Sequence, residues 1–242
     1  MNATYPIAAV GELIGDAARA AILVALLDGK ARTAGELAFT ANISAQSASG
    51  HLSKLVDGGL LTVRQSGRHR YFAIAGPEVA HALEALGSIS TVPRSRTASS
   101  LPRAGVPRPG DDLYLARSCY DHLAGRIAVD LTQTLLHAKV IRQASDRDYE
   151  LGPAGRAWFG KLGVDVDAVR RSRRIFARQC LDWTERRPHI AGALGAALCS
   201  RLLALGWIAR RRDTRALRVT HRGARALRTI LPPLTRQPFL VT

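Results

Sequence analysis

The twenty residues from Thr91 to Gly110, Thr-Val-Pro-Arg-Ser-Arg-Thr-Ala-Ser-Ser-Leu-Pro-Arg-Ala-Gly-Val-Pro-Arg-Pro-Gly, are dense in Pro, Ser and Arg and carry no apolar period. Neither a helix nor a strand buries a face with such a pattern, so this stretch predicts an extended or mobile linker. A chain of 242 residues must then build one core on each side of it. The domains expected are 1–90, a linker at 91–110, and 111–242. No run approaches the roughly 18 apolar residues of a membrane span, and residues 1–16 lack the basic and then apolar order of a secretory signal. Cys119, Cys180 and Cys199 are odd in number and have no CxxC spacing. That excludes a disulfide scaffold and a four-cysteine zinc module, and fits a reducing cytoplasm.

A formal net charge of +16 favours anionic partners, but the excess is unevenly spread. Residues 1–90 hold seven basic and seven acidic side chains, the linker adds four arginines, and residues 111–242 carry 24 basic against 12 acidic groups. Arginine supplies 31 of the 35 basic residues, which suits bidentate pairing to phosphate or carboxylate; nucleotide-composition bias in the coding sequence accounts for the same excess. The first domain therefore owes nothing to bulk charge, and its function must be read from its motifs.

Apolar residues recur at helical spacing over Ile7 to Ile14 and Ala17 to Leu27, with Asp16 placed as an N-cap. Thr33 caps a short helix through Thr40, and Ser44 caps another that runs to Asp57, where Gly58-Gly59 stops it. Leu60 to Gln65 and His69 to Ile74 alternate around Ser66-Gly67-Arg68 as a β-hairpin, and a helix from Pro77 to Gly87 closes the domain. This is the element order of a winged helix-turn-helix. The fold class expected is mainly α with small β-hairpin wings, the second domain being helical and readable as a degenerate winged helix.

Four ordered segments make the reading more specific: Leu13-Ile-Gly-Asp-Ala-Ala-Arg-Ala-Ala-Ile22, Thr33-Ala-Gly-Glu-Leu-Ala38, Ser44-Ala-Gln-Ser-Ala-Ser-Gly-His-Leu-Ser-Lys-Leu55 and Gly59-Leu-Leu-Thr-Val-Arg-Gln-Ser-Gly-Arg-His-Arg-Tyr-Phe72. Together they resemble the ArsR/SmtB family of bacterial transcriptional regulators, over residues 9–87 and in the longer form with a C-terminal domain. In the helix from Ser44, Ala48, Leu52 and Leu55 fall on one face, which leaves Gln46, Ser47, Ser49, Gly50, Ser53 and Lys54 on the other. Short side chains let the backbone approach a groove, Gln46 offers a bidentate amide to adenine, and the serines reach bases or phosphates. His51 either donates to phosphate or packs beside Leu52. Arg64, Arg68, His69 and Arg70 at the hairpin tip suit phosphate or minor-groove contact. One such domain reads half a site, so two copies on a double-stranded pseudo-palindrome are expected. The resemblance implies a homodimer through Ala3 to Ile14 and Pro77 to Leu86, with Val79, Leu83 and Leu86 packed there.

The resemblance also implies effector release, often by a metal held on cysteines in the helix that here reads Glu36-Leu-Ala-Phe-Thr40, or on His and acidic residues of the last helix. The first place has no cysteine. At the second, Glu78, His81 and Glu84 lack the usual Asp-x-His pattern and read as a solvated helix face.

In the second domain Asp112 to Leu123, Arg126 to Ala138, Pro153 to Leu162, Asp165 to Arg174, His189 to Leu205 and His221 to Leu231 read as helices. Tyr149 to Leu151 reads as a strand, and Trp207 to Arg211 with Ala216 to Val219 as a hairpin. The end of this domain resembles the wing region of MarR-type regulators, and Tyr149 to Trp158 weakly repeats in Leu217 to Arg225. Arg210, Arg211, Arg212, Arg215 and Arg218 either grip flanking DNA or solvate a hairpin. Cys119 and His122 fall one turn apart on the first of these helices, whereas Cys180 stands in an irregular stretch before His189. If the two segments meet, Cys119, His122, Cys180 and His189 make a tetrahedral site for a thiophilic divalent metal, a redox-sensing thiol pair or an organic effector contact; otherwise they are structural. Cys199 reads as a buried small hydrophobe.

The function expected is a dimeric, cytoplasmic DNA-binding repressor released by a small effector. Two alternatives stand beside it: a methyltransferase-like enzyme dimerised by its winged helix, against which the absence of a strand followed by GxGxxG argues, and an architectural DNA-binding protein that senses nothing.

Overall fold

The computed structural model describes residues 7–89, 112–211 and 214–230. The expected linker at 91–110 lies outside these residues, as do 3–6 of the expected dimerisation segment, Arg212 and Leu231. The chain divides into two compact units, 1–82 and 83–242.

The first unit runs α1 (Ile7–Ile14), α2 (Ala17–Leu26), β1 (Arg32–Thr33), α3 (Ala34–Ala41), α4 (Ala45–Asp57), β2 (Leu61–Ser66), β3 (His69–Ile74) and α5 (Pro77–Ile89), the last beginning in this unit and ending in the next. Its helices start where side chains satisfy the otherwise orphaned N–H groups. Asp16 Oδ1 accepts from Arg19 N–H at 2.9 Å, and Ser44 Oγ accepts from Ser47 N–H at 3.1 Å. Thr33 and Glu36 form a reciprocal capping box. At the other end of α1, buried Arg19 donates to the carbonyls of Leu13 (2.6 Å) and Glu12 (2.7 Å), so one side chain ties α1 to α2. Ile22, Leu23, Leu26, Leu37, Ala48, Leu52, Leu55, Phe72 and Ile74 fill the core. The antiparallel sheet has order β1-β3-β2; its two-residue first strand is too short to show alternation in sequence. No residue of α1 is buried.

The second unit contains α6 (Asp112–Leu115), β4 (Arg117–Cys119), β5 (His122–Ala124), α7 (Arg126–His137), β6 (Ile141–Gln143), β7 (Tyr149–Leu151), α8 (Gly155–Leu162) and α9 (Val166–Arg170). It continues through β8 (Arg178–Leu181), β9 (Pro188–Ala191), α10 (Gly192–Ala204), β10 (Ile208–Arg210), β11 (Leu217–Val219) and α11 (His221–Ile230). Hairpin, helix, hairpin, helix thus occurs twice. Ala116-Arg-Ser-Cys-Tyr-Asp121 recurs as Ala177-Arg-Gln-Cys-Leu-Asp182, and His122-Leu-Ala-Gly125 as His189-Ile-Ala-Gly192. Gly125 and Gly192 carry φ of +88° and +74° at the same point of each copy, a backbone that turns the second strand into its helix and that a Cβ disfavours.

The two copies also pair reciprocally. Leu217 N–H donates to Ala116 O (2.9 Å) and Tyr149 N–H to Ala177 O (2.8 Å), while Ser118 N–H donates to Arg215 O (2.9 Å) and Gln179 N–H to Arg147 O (2.8 Å). Each copy's first hairpin therefore bonds to the other copy's second, a pseudo-two-fold arrangement around one continuous apolar core that includes Leu131, Leu135, Phe159, Leu194, Leu198 and Leu202.

This arrangement corrects several sequence expectations. The helix expected over 112–123 ends at Leu115, and Cys119 and His122 stand on opposite strands of a hairpin. Tyr120, at φ +59°, takes the chain into a left-handed conformation that a right-handed helix excludes. The irregular stretch around Cys180 is strand β8, His189 belongs to strand β9 rather than to the start of α10, and the helix after Asp165 spans only Val166–Arg170. Among the described residues no helix is long and apolar enough to cross a membrane.

Candidate functional site

Two sites emerge, one on each unit. On α4, Ala48, Leu52 and Leu55 are buried, while Gln46, Ser47, Ser49, Gly50, Ser53 and Lys54 are all exposed. The Ser49 hydroxyl donates to Ala45 O at 3.1 Å and Ser44 Oγ to Ser47 Oγ at 2.9 Å, so the serines lie close to the helix surface. A Cβ built on Gly50 would meet no atom within 4 Å. His51 is turned differently: it is half-buried, with Nδ1 3.7 Å from Asp16 Oδ1 at the start of α2.

The wing extends from this helix through β2 and β3, with Arg64 opposite Tyr71, Gln65 opposite Arg70 and Ser66 opposite His69. Arg64, Arg68, His69 and Arg70 are exposed, and Arg68 Nε lies 3.3 Å from His69 Nε2. Among the described residues no carboxylate pairs with Arg64, Arg68 or Arg70. Ser49, Ser53 and Arg70 line a cleft between α4 and the wing, floored by Leu52, Val56, Val63 and Phe72. At α3, Glu36 is committed to its capping box, where hydrogen bonds from Thr33 hold its carboxyl below the usual range.

The second site is a buried centre on the pseudo-two-fold of the second unit. Cys119, His122, Cys180 and His189 come together with their ligating atoms all within 4.8 Å of one another, and all four residues are buried. Cys119 pairs with His122 across its hairpin and Cys180 with His189 across the other, so each copy of the repeat gives one thiol and one imidazole. The two Sγ atoms are 3.9 Å apart and the two Nε2 atoms 3.1 Å apart. The hydrogen bond with Cys180 and burial push the Cys119 thiol well above its ordinary pKa. Cys199 is also buried, outside the cluster.

Around the centre lie carboxylates and an arginine whose partners sequence alone does not show. His122 Nδ1 is 3.4 Å from Asp121 Oδ1, and His189 Nδ1 is 3.4 Å from Asp182 Oδ2. Asp182 is fully buried; it accepts from Arg117 Nη2 (3.0 Å), Gly125 N–H (2.7 Å), Thr184 N–H (3.0 Å) and the Thr184 hydroxyl (2.6 Å). Burial alone would raise this carboxyl, but Arg117 and His189 outweigh it and hold the group well below the usual carboxylate range. Arg117 stacks on Trp183, 4.9 Å from the ring centroid, and lies 3.9 Å from Glu84 Oε2. Glu84 is thus buried, bonded to Arg215 at 2.8 Å as well, and does not belong to the solvated helix face expected with Glu78. The sequence signal for all of this was the recurrence of Ala-Arg-x-Cys-x-Asp, 61 residues apart.

Arg215 is therefore part of the interior, and Arg211 pairs with Asp112, so the arginines of the β10–β11 region are not one open cationic surface.

A helix-turn-helix domain family matches residues 14–64. The uncharacterized HTH-type transcriptional regulator YdfF of Bacillus subtilis (strain 168) is 42% identical over 217 residues, which cover 90% of this chain and 93% of that one. Among solved structures, the homodimeric winged helix-turn-helix DNA-binding domain of Mb0332 from Mycobacterium bovis, a possible ArsR-family transcriptional regulator, is 28% identical over 36% of this chain and 86% of its own, with a TM-score of 0.31. The cadmium sensor CMTR from Mycobacterium tuberculosis is 32% identical over 42% of this chain and 98% of its own, with a TM-score of 0.29. With a relative alike over nearly its whole length and a helix-turn-helix that the family model matches, the chain belongs to the HTH-type transcriptional regulators.

Proposed function

We propose that this regulator is a cytoplasmic repressor, a binding protein without catalysis, and that two copies grip one double-stranded operator until an effector releases them. Each copy lays α4 in a major groove, with Gln46, Ser47, Ser49, Gly50, Ser53 and Lys54 facing the DNA, and sets Arg64, Arg68, His69 and Arg70 on the flanking backbone. The observation that carries this reading is the composition of the exposed face of α4: small, polar or cationic at every one of those positions, beside wing arginines that no carboxylate among the described residues neutralises. His51, held near Asp16, takes the weaker part of a positioning residue. The homodimer is supported by α1, an apolar helix with nothing buried, where Ile7 and Val10 keep 77% and 38% exposure; Leu86 of α5 keeps 42%. An isologous contact covering Ile7 and Val10 removes that apolar surface from water.

Gel-shift titration of the chain against its own promoter fragment tests the reading. Gln46→Ala and Ser49→Ala are expected to lower preference for the operator over unrelated DNA, each lost bidentate pair being worth about 1–3 kcal/mol. Unchanged operator preference in both variants would show that α4 is not the reading helix.

A further inference from the structure

We propose that Cys119, His122, Cys180 and His189 bind one thiophilic divalent cation of the Zn2+ type, tetrahedrally, at the pseudo-two-fold of the second unit. The site is distinct from the positions on α3 and α5 where the family resemblance looks for metals, and it stands independently of the DNA-binding reading.

Distances make the first argument. A tetrahedral Zn2+ with bonds of about 2.3 Å to sulfur and about 2.0–2.1 Å to nitrogen spaces its two sulfurs about 3.8 Å apart and its two nitrogens about 3.3 Å apart. The structure gives 3.9 Å and 3.1 Å. Two Nε2 atoms that face one another in a buried space, beside two sulfurs at van der Waals separation, are placed as ligands around a common centre. A disulfide needs an S–S distance of about 2.05 Å, and both thiols are closed off from oxidants in solution by burial.

The surroundings make the second. Metal-bound imidazoles characteristically direct the other ring nitrogen at a carboxylate, which fixes the tautomer and strengthens the ligand. Here His122 Nδ1 is hydrogen-bonded with Asp121 Oδ1, and His189 Nδ1 stands 3.4 Å from Asp182 Oδ2, the two carboxylates holding the same position of the two repeats. With Nδ1 of each ring turned to a carboxylate, Nε2 is the nitrogen that each ring turns to the centre.

Charge makes the third. On binding, the two thiols lose their protons to water, any proton held between the two Nε2 atoms leaves with them, and two S–metal and two N–metal bonds form. Two thiolates and one dication sum to zero, so the filled site adds no net charge to the interior. That condition matters beside Arg117, whose charge Asp182 already balances at 3.0 Å. A pair of thiols and a pair of imidazoles selects Zn2+ and its thiophilic congeners over the hard cations that prefer oxygen.

The full chain, reduced and stripped by a chelator, should take up one Co2+ and display thiolate-to-cobalt charge-transfer bands with the intense d–d absorption of a tetrahedral site. Added Zn2+ should bleach both. Asp121→Asn, at a partly exposed position, should keep these bands and weaken affinity about 10–100-fold, while Cys199→Ser should change neither. Cys119→Ser should abolish the two-thiolate spectrum; should that variant fail to fold, X-ray absorption of the zinc-loaded wild-type chain, expected to give two sulfur and two nitrogen neighbours, decides the matter. Absence of thiolate bands in the reduced wild-type chain, or a Cys119–Cys180 disulfide formed under mild oxidation in a protein that retains no metal, overturns the proposal.

Discussion

The exposed face of α4 and the buried Cys/His centre use polar side chains in opposite ways. On α4 none of the outward residues is needed by the fold: Gln46 and Lys54 point into solvent, and the serines bond only within their own helix. In the second unit Arg117, Asp182 and Glu84 beside the centre are buried, so their charges are balanced by one another and by Arg215. Arg117 is held by Asp182, Asp182 also accepts from Gly125 and Thr184, and Glu84 holds Arg215. The difference separates two kinds of site. A surface for a macromolecule is assembled from side chains that the fold leaves uncommitted, whereas a site for a small ion is built into the core, where positions are fixed by the same contacts that stabilise the protein. Substitutions should therefore divide cleanly: those at the centre should cost stability, and those on α4 or the wing should cost binding alone.

The largest effect is expected at Asp182. Removing one partner of a buried ion pair leaves the other charge uncompensated, at a cost of about 3–5 kcal/mol. Asp182→Ala in metal-free protein should lower unfolding stability by that amount, and tryptophan fluorescence reads it selectively because Trp158, Trp183 and Trp207 all lie in the second unit. A loss below about 1 kcal/mol, the scale of an exposed pair, would show that Arg117 finds other partners and that the centre is less closed than its burial indicates.

How far each region could be read beforehand follows from the length of its signals. The first unit announces itself because Asp16, Thr33 and Ser44 cap their helices and the helices that follow are long enough to show a 3.6-residue period. The second unit hides its architecture in strands of three or four residues, too short for alternation to register. Cys119 and His122 illustrate the ambiguity: residues three apart are neighbours on a helix and also across a tight turn, and only Tyr120 at φ +59° settles which. The candidate ligands were nevertheless legible, because a thiol and an imidazole recur together in two segments. Their meeting was not, since it depends on reciprocal hydrogen bonds between the two copies, Ser118 with Arg215 and Gln179 with Arg147, which no local pattern encodes. The equivalence of Asp121 and Asp182 is hidden because the Ala-Arg-x-Cys-x-Asp repeat is separated from its histidine in the second copy by the longer loop between Asp182 and Pro188.

Arg68 tests the surface side of the comparison. It is exposed at the wing tip and pairs with no carboxylate among the described residues, so Arg68→Ala should leave unfolding stability within about 0.5 kcal/mol. Binding should weaken on all DNA sequences alike, and the slope of log affinity against log salt should become shallower by about one unit, the release of one counterion. A slope that stays the same would place the wing tip away from the phosphates.

The smallest effect, and the sharpest, is expected at Gly50. A glycine inside an exposed helix costs about 0.5–1 kcal/mol relative to alanine, and no described residue comes within 4 Å of where a Cβ would stand. The fold gains nothing from this residue. Gly50→Ala should therefore stabilise the first unit by about 0.5–1 kcal/mol, measured by the midpoint of its helical circular dichroism in urea. If α4 lies close against the groove, the added methyl group should at the same time weaken operator binding, because it stands between the helix backbone and the DNA. Opposite signs for stability and affinity at a single methyl group are what a position kept small for an external partner must give. Equal gain in both would mean that Gly50 faces open solvent in the complex, and the contact surface would then have to be shifted along α4 towards Gln46 and Ser47.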